Sequence, residues 1–153
     1  MTGHTPKVRH FFVAVACALL STACGKFQQA RECGTFVKTV NGWLGAANVG
    51  GANASDAGAS SDPKQIAADA RRTADHYAEL SRTLAGLHIQ TEELAPRVKR
   101  YESIADDAAR TLREVADALD RGDLEQARKK RVDFDTVGRQ EAPLVKEING
   151  ICR

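Results

Sequence analysis

Hydrophobic positions recur at helical spacing in four stretches of the chain. In the first, Ala30, Cys33, Val37, Val40 and Leu44 follow a 3-4-3-4 spacing, widened by Phe36 and Trp43, and predict a helix over about residues 26–46. Residues 45–62 lose this periodicity and collect Gly, Ala, Asn and Ser, which predicts a flexible loop. The second helix opens on Asp62-Pro63-Lys64-Gln65, where an N-cap, a proline at the first position and a capping-box Gln coincide. Its seam is Ile66, Ala70, Thr73, Tyr77, Leu80, Leu84 and Leu87. After a break around residues 86–90, Thr91 with Glu92 and Glu93 starts the third helix, the acids suiting its N-terminal dipole.

The seam of the third helix is Leu94, Val98, Tyr101, Ala105, Ala108, Leu112, Val115 and Leu119, with Pro96 early enough to be tolerated with a bend. Gly122 is expected to end this helix in the left-handed conformation, Asp123 to cap the fourth, and Gln126 to complete a capping box. That reading takes the tripeptide Arg121-Gly122-Asp123 as a turn and not as an adhesion motif. The stretch ALDRGDLEQARK resembles the turn of a tetratricopeptide hairpin, but no second copy follows at the repeat period. In the fourth helix Leu124, Ala127, Phe134 and Val137 share a side, a kink is expected at residues 139–143, and Leu144, Val145, Ile148 and Ile151 finish the chain. The expected fold is all-α, an antiparallel up-down-up-down four-helix bundle.

The N-terminus has a different character. Lys7 and Arg9 precede the apolar run Phe11–Leu20, too short for a membrane span of about 20 residues but suited to the core of an export signal. Leu20-Ser21-Thr22-Ala23-Cys24 follows and resembles the lipobox of bacterial lipoproteins, with the favoured leucine one place early. The resemblance implies that residues 1–23 are removed as a signal peptide, that Cys24 is lipidated and becomes the first residue, and that 24–153 form one helical domain anchored to a membrane. Gly25, where an aspartate would retain such proteins in the inner membrane, implies sorting to the outer membrane. Ser21-Thr22-Ala23 also satisfies the small-x-small rule of ordinary signal peptidase, which would leave a soluble periplasmic protein; retention as a membrane anchor is a third possibility. In a bacterial lipoprotein the sequon Asn53-Ala54-Ser55 is read as chance.

Processing also changes the charge. The whole chain carries a formal +2, and loss of Lys7 and Arg9 leaves equal numbers of acids and bases, so nothing calls for a nucleic-acid partner. The run Arg128-Lys129-Lys130-Arg131 is the one electrostatic feature. Its charge suits an envelope protein or an anionic polymer, but the acids around it favour a solvated face.

Candidate chemistry is sparse. No Glu has His three residues later, no haem-attachment motif occurs, and His76 and His88 each stand alone without a His or Cys at ligand spacing. No Gly-x-Ser-x-Gly or phosphate-binding loop is present. Neither catalytic residues, a cofactor nor a metal is expected, and a binding or supporting role is favoured over an enzyme. Export places the remaining cysteines in an oxidising compartment, and the bundle topology puts the start of the first helix beside the end of the last. Cys33 and Cys152, both on apolar seams, are therefore expected to form a disulfide.

Overall fold

The computed structural model describes residues 9–49 and 62–153, with side chains from 25 to 45 and from 62 onward. The described chain is all-α: α1 (Arg9–Val49), α2 (Pro63–Ala85), α3 (Ala95–Asp120), α4 (Leu124–Gly138) and α5 (Glu141–Ile151). α1 continues through residues 45–49, so the start of the expected loop is helical. Residues 50–61, the Asn53 sequon and the side chains of the lipobox lie outside the described residues.

Local chemistry explains where each helix begins and ends. The Asp62 carboxylate accepts from the Lys64 backbone N–H at 3.0 Å, and Pro63 occupies the first turn, where its missing donor is not needed. α3 starts later than expected: Thr91–Leu94 form a turn, with Thr91 O accepting from the N–H groups of Leu94 and Ala95. Pro96 then falls in the first turn of α3, where it breaks no intrahelical hydrogen bond and needs no bend.

Gly122, at φ 73°, closes α3 as expected. The Asp123 N–H donates to Ala118 O at 2.9 Å, and its carboxylate accepts from the Gln126 N–H at 3.0 Å. With its backbone donor spent on α3, Asp123 has none to offer a reciprocal capping box, so Gln126 contributes only its N–H. The kink expected near residues 139–143 is a full break at Arg139–Gln140. Pro143 thereby falls in the first turn of α5 instead of inside a longer helix.

α3 is the central helix. Its expected seam from Leu94 through Val115 is buried, but Ile104, Ala109, Thr111, Ala116 and Ala118 are buried as well, giving it two inward faces. Ala67 and Ala74 of α2 and Ala109 and Ala116 of α3 are fully buried, and such small side chains let neighbouring helix axes come close. Leu80, Leu84, Leu94, Leu144 and Ile148 are the largest fully buried side chains. Truncating any one to Ala costs about 2–5 kcal/mol.

α1 is rotated relative to expectation. Cys33 and Phe36 are buried and Val40 and Trp43 pack against the same cluster, whereas Val37 and Leu44 are 41% and 45% exposed and Ala30 is also exposed. The rings of Phe36 and Trp43 have more apolar surface to lose than Val37 and Leu44, and they turn the helix toward themselves. In α4, Leu124 is 58% exposed rather than inward, while Ala127 is buried. Between helices, Arg71 pairs with Asp117 at 2.9 Å and Asp120 at 2.6 Å, Arg113 with Asp75 at 3.1 Å, and Lys130 with Glu114 at 2.7 Å. Apart from Lys130, these side chains are substantially exposed, so each pair adds little to stability.

Candidate functional site

The polar chemistry of the interior gathers where residues 28–33 of α1 meet two other chain segments. Cys33 and Cys152 are joined by a disulfide, with Cα atoms 5.6 Å apart across 119 sequence positions. One turn earlier, Gln29 Nε2 donates to Ile151 O at 2.6 Å. Glu32, only 5% exposed, accepts from Gln28 Nε2 at 2.9 Å, from the Gln90 N–H at 3.1 Å and from the Thr91 N–H at 2.9 Å. Gln28 Nε2 also reaches Gln90 Oε1 at 3.0 Å. Two neighbouring positions of α1 thus bind different elements: Glu32 ties it to the turn before α3, and Cys33 to the end of α5.

Burial works to raise the Glu32 pKa, but the hydrogen bonds from Gln28, Thr91 and Gln90 outweigh it and lower the value from 4.5 to about 2. The group is ionised at neutral pH with its oxygens engaged by N–H donors, which makes it an anchor and a poor proton acceptor. Sequence reasoning anticipated Cys33 and Cys152 but missed Glu32. The available signal was that Glu32 is the one acid between Gly25 and Gly45.

Further along α1, aromatic rings make the contacts. Phe36 meets Tyr101 edge-on at 5.6 Å, and Tyr77 lies between Trp43 at 5.1 Å and Phe134 at 6.1 Å. Trp43 Nε1 donates to His76 O at 2.9 Å. The Tyr101 hydroxyl donates to Glu141, and burial followed by that bond and the Glu141 charge raises its pKa. Burial and then the Glu141 charge raise that of Tyr77. Both phenols stay protonated and serve as packing and donor groups.

The expected solitary histidines stay apart: His76 lies half-buried on α2, and His88 is exposed in the α2–α3 turn. Among the described residues no cluster of His, Cys, Asp and Glu is arranged to hold a metal ion. A groove of about 530 Å³ between α1 and α2 is floored by Trp43 and Leu80 and rimmed by Thr35, Lys38, His76 and Glu79. It offers contact area and hydrogen bonds, without a nucleophile held against a base.

Arg128, Lys130 and Arg131 of the basic run are engaged within α4 and with α3. Lys130 pairs with Glu114 and, at 3.7 Å, with Asp133; Arg131 pairs with Asp135 at 3.4 Å and Arg128 with Glu125 at 3.8 Å. The Arg131 guanidinium also lies 5.8 Å from the centre of the Phe134 ring. No helix among the described residues is long and apolar enough to cross a membrane. No protein-family model, curated protein or solved structure matches this chain.

Proposed function

We infer that this chain is a lipid-anchored helical module of the bacterial cell envelope that acts by binding or structural support and not by catalysis. Cys24 carries the lipid, and Gly25 directs the protein to the outer membrane. The observation that carries this reading is the lipobox-like Leu20–Cys24 placed nine positions before a disulfide-bonded cysteine. A disulfide persists in an oxidising compartment, which supports export past the cytoplasm. The pairing of Cys33 with Cys152 also leaves Cys24 as the unpaired cysteine of the mature chain, and lipidation uses it.

The fold belongs to this proposal as an antiparallel up-down-up-down four-helix bundle, with α4 and α5 together forming the fourth arm. The contacts support that order. Trp43 meets His76 while Glu32 meets Thr91; Arg71 meets Asp117 while Arg113 meets Asp75; Glu114 meets Lys130 while Tyr101 meets Glu141. In such a bundle the clamp at Glu32 and Cys33 lies at the end nearest the lipid and transmits the pull of the anchor to α3 and α5 together. The membrane is the first partner, reached through Cys24; an envelope protein or an anionic polymer is the second.

The groove beside Trp43 favours a second reading, a soluble periplasmic bundle that binds a small ligand. Metabolic labelling with an alkyne fatty acid separates the two. The lipoprotein reading expects label on the wild-type protein and none on Cys24→Ser; an unlabelled wild-type protein in the periplasmic fraction supports the soluble one.

A further inference from the structure

The outward surface of α1 differs in charge from the other helices. Between Gly25 and Gly45 the exposed charges are Lys26, Arg31 and Lys38, all cationic, because Glu32 is buried. None of the three makes an ion pair among the described residues, whereas cations of α2, α3 and α4 pair repeatedly with acids. The same surface exposes apolar side chains: Phe27 is 75% exposed, Val37 41% and Leu44 45%. Successive steps from Phe27 through Ala30, Gly34 and Val37 to Asn41 and Leu44 alternate between three and four residues, so these positions form one continuous stripe.

We propose that this face of α1 lies along an anionic bilayer surface, with Phe27, Val37 and Leu44 entering the headgroup boundary and Lys26, Arg31 and Lys38 meeting lipid phosphates. The proposal rests on the lipoprotein reading. The backbone is helical without interruption from Cys24 to Leu44. At about 1.5 Å rise per residue, Phe27 stands only about 4.5 Å along the axis from the acylated cysteine. With so little chain between lipid and helix, the membrane is the surface that Phe27 meets. The mixture of cations and apolar groups on one helical face is the chemistry that anionic bilayers bind. Across α1, Glu32 and Cys33 fasten the helix to the rest of the domain, so laying this face down would dock the whole body on its side.

The test uses the mature protein extracted from membranes and reconstituted into phosphatidylcholine vesicles with or without phosphatidylglycerol. With Cys24 acylated and Cys33 bonded to Cys152, the variants Val37→Cys and Val132→Cys each carry a single free thiol for a nitroxide. Val132, 57% exposed on α4, is the control away from the proposed face. The expected result is a severalfold rise in the oxygen-to-nickel-chelate collision ratio at position 37 in phosphatidylglycerol vesicles and no rise at position 132. Adding Lys26→Glu, Arg31→Glu and Lys38→Glu together should abolish the rise. A water-exposed label at position 37 on protein whose mass shows the lipid would overturn the docking and leave the anchor standing. A label immobilised only in native membranes would overturn it in favour of an acidic protein partner. Protein without lipid on Cys24 would overturn the anchor and the docking together.

Discussion

Glu32 of α1 accepts a hydrogen bond from the backbone N–H of Thr91 at 2.9 Å, across 59 sequence positions. It thereby ties the turn before α3 to a side chain of another helix. Beside it the Cys33–Cys152 disulfide holds the same turn of α1 to the chain end, so a polar tie and a covalent tie act at one level of the fold.

The Glu32 tie has a pH signature. Its folded pKa of about 2 lies below the ordinary 4.5, so its stabilisation is complete above pH 4.5 and is lost as pH falls toward 2. Hydrogen bonds to a charged group contribute about 1.5–3 kcal/mol, which sets the size of the effect. Glu32→Gln should lose that amount at pH 7 in urea unfolding, and its stability should fall less steeply than wild type between pH 4.5 and 2. Parallel pH profiles for the two proteins would contradict this role.

The disulfide should contribute more. Closing a loop across 119 positions constrains the unfolded chain by up to about 4–5 kcal/mol in the chain-entropy model. Cys152→Ser, or reduction of the wild type, should lower the denaturant midpoint accordingly and make α1 the first element cut by protease. Peptide mapping without reductant should return the two cysteines on one linked species.

Trp43 is the one tryptophan of the chain, and its Nε1–H donates to the His76 carbonyl of α2. Trp43→Phe keeps a ring against Tyr77 but removes the indole hydrogen bond, an expected loss of about 0.5–1.5 kcal/mol. Trp43→Leu should cost more, because the aromatic contact goes as well. Equal losses in the two variants would assign the whole effect to the hydrogen bond.

Two glycines should respond oppositely to alanine. Neither Gly122 nor Gly34 has an atom within 4 Å of the position a Cβ would take, so packing is not the issue. Gly122→Ala places a Cβ at φ 73° and should cost about 1 kcal/mol. Gly34→Ala lies within α1 and should add about 0.5–1 kcal/mol. Thermal melts of the two variants should shift in opposite directions.

The parts of this fold that depend on local chemistry were legible in the chain. Asp62-Pro63 and Gly122-Asp123 mark helix ends through backbone donors and φ values that few residues supply, and both act as read. The Cys33–Cys152 pair was legible as an expectation from bundle order and export, and the structure joins the two cysteines. Three-dimensional competition was not legible. On α1 two apolar stripes overlap, and only packing decides that Phe36 and Trp43 turn inward while Val37 and Leu44 turn out. α3 needs a second inward face because it is surrounded, which a single seam cannot encode. Of the site, the disulfide was read and Glu32 was not, since its partners are backbone N–H groups that carry no sequence identity.

The central claim is the lipid on Cys24, and the intact mass of the N-terminal peptide from membrane-extracted protein tests it most directly. The expected result is a peptide beginning at Cys24 whose mass includes a diacylglyceryl thioether and an amide-linked acyl chain. A peptide beginning at Cys24 or upstream with no added lipid, recovered from the soluble fraction, would contradict it.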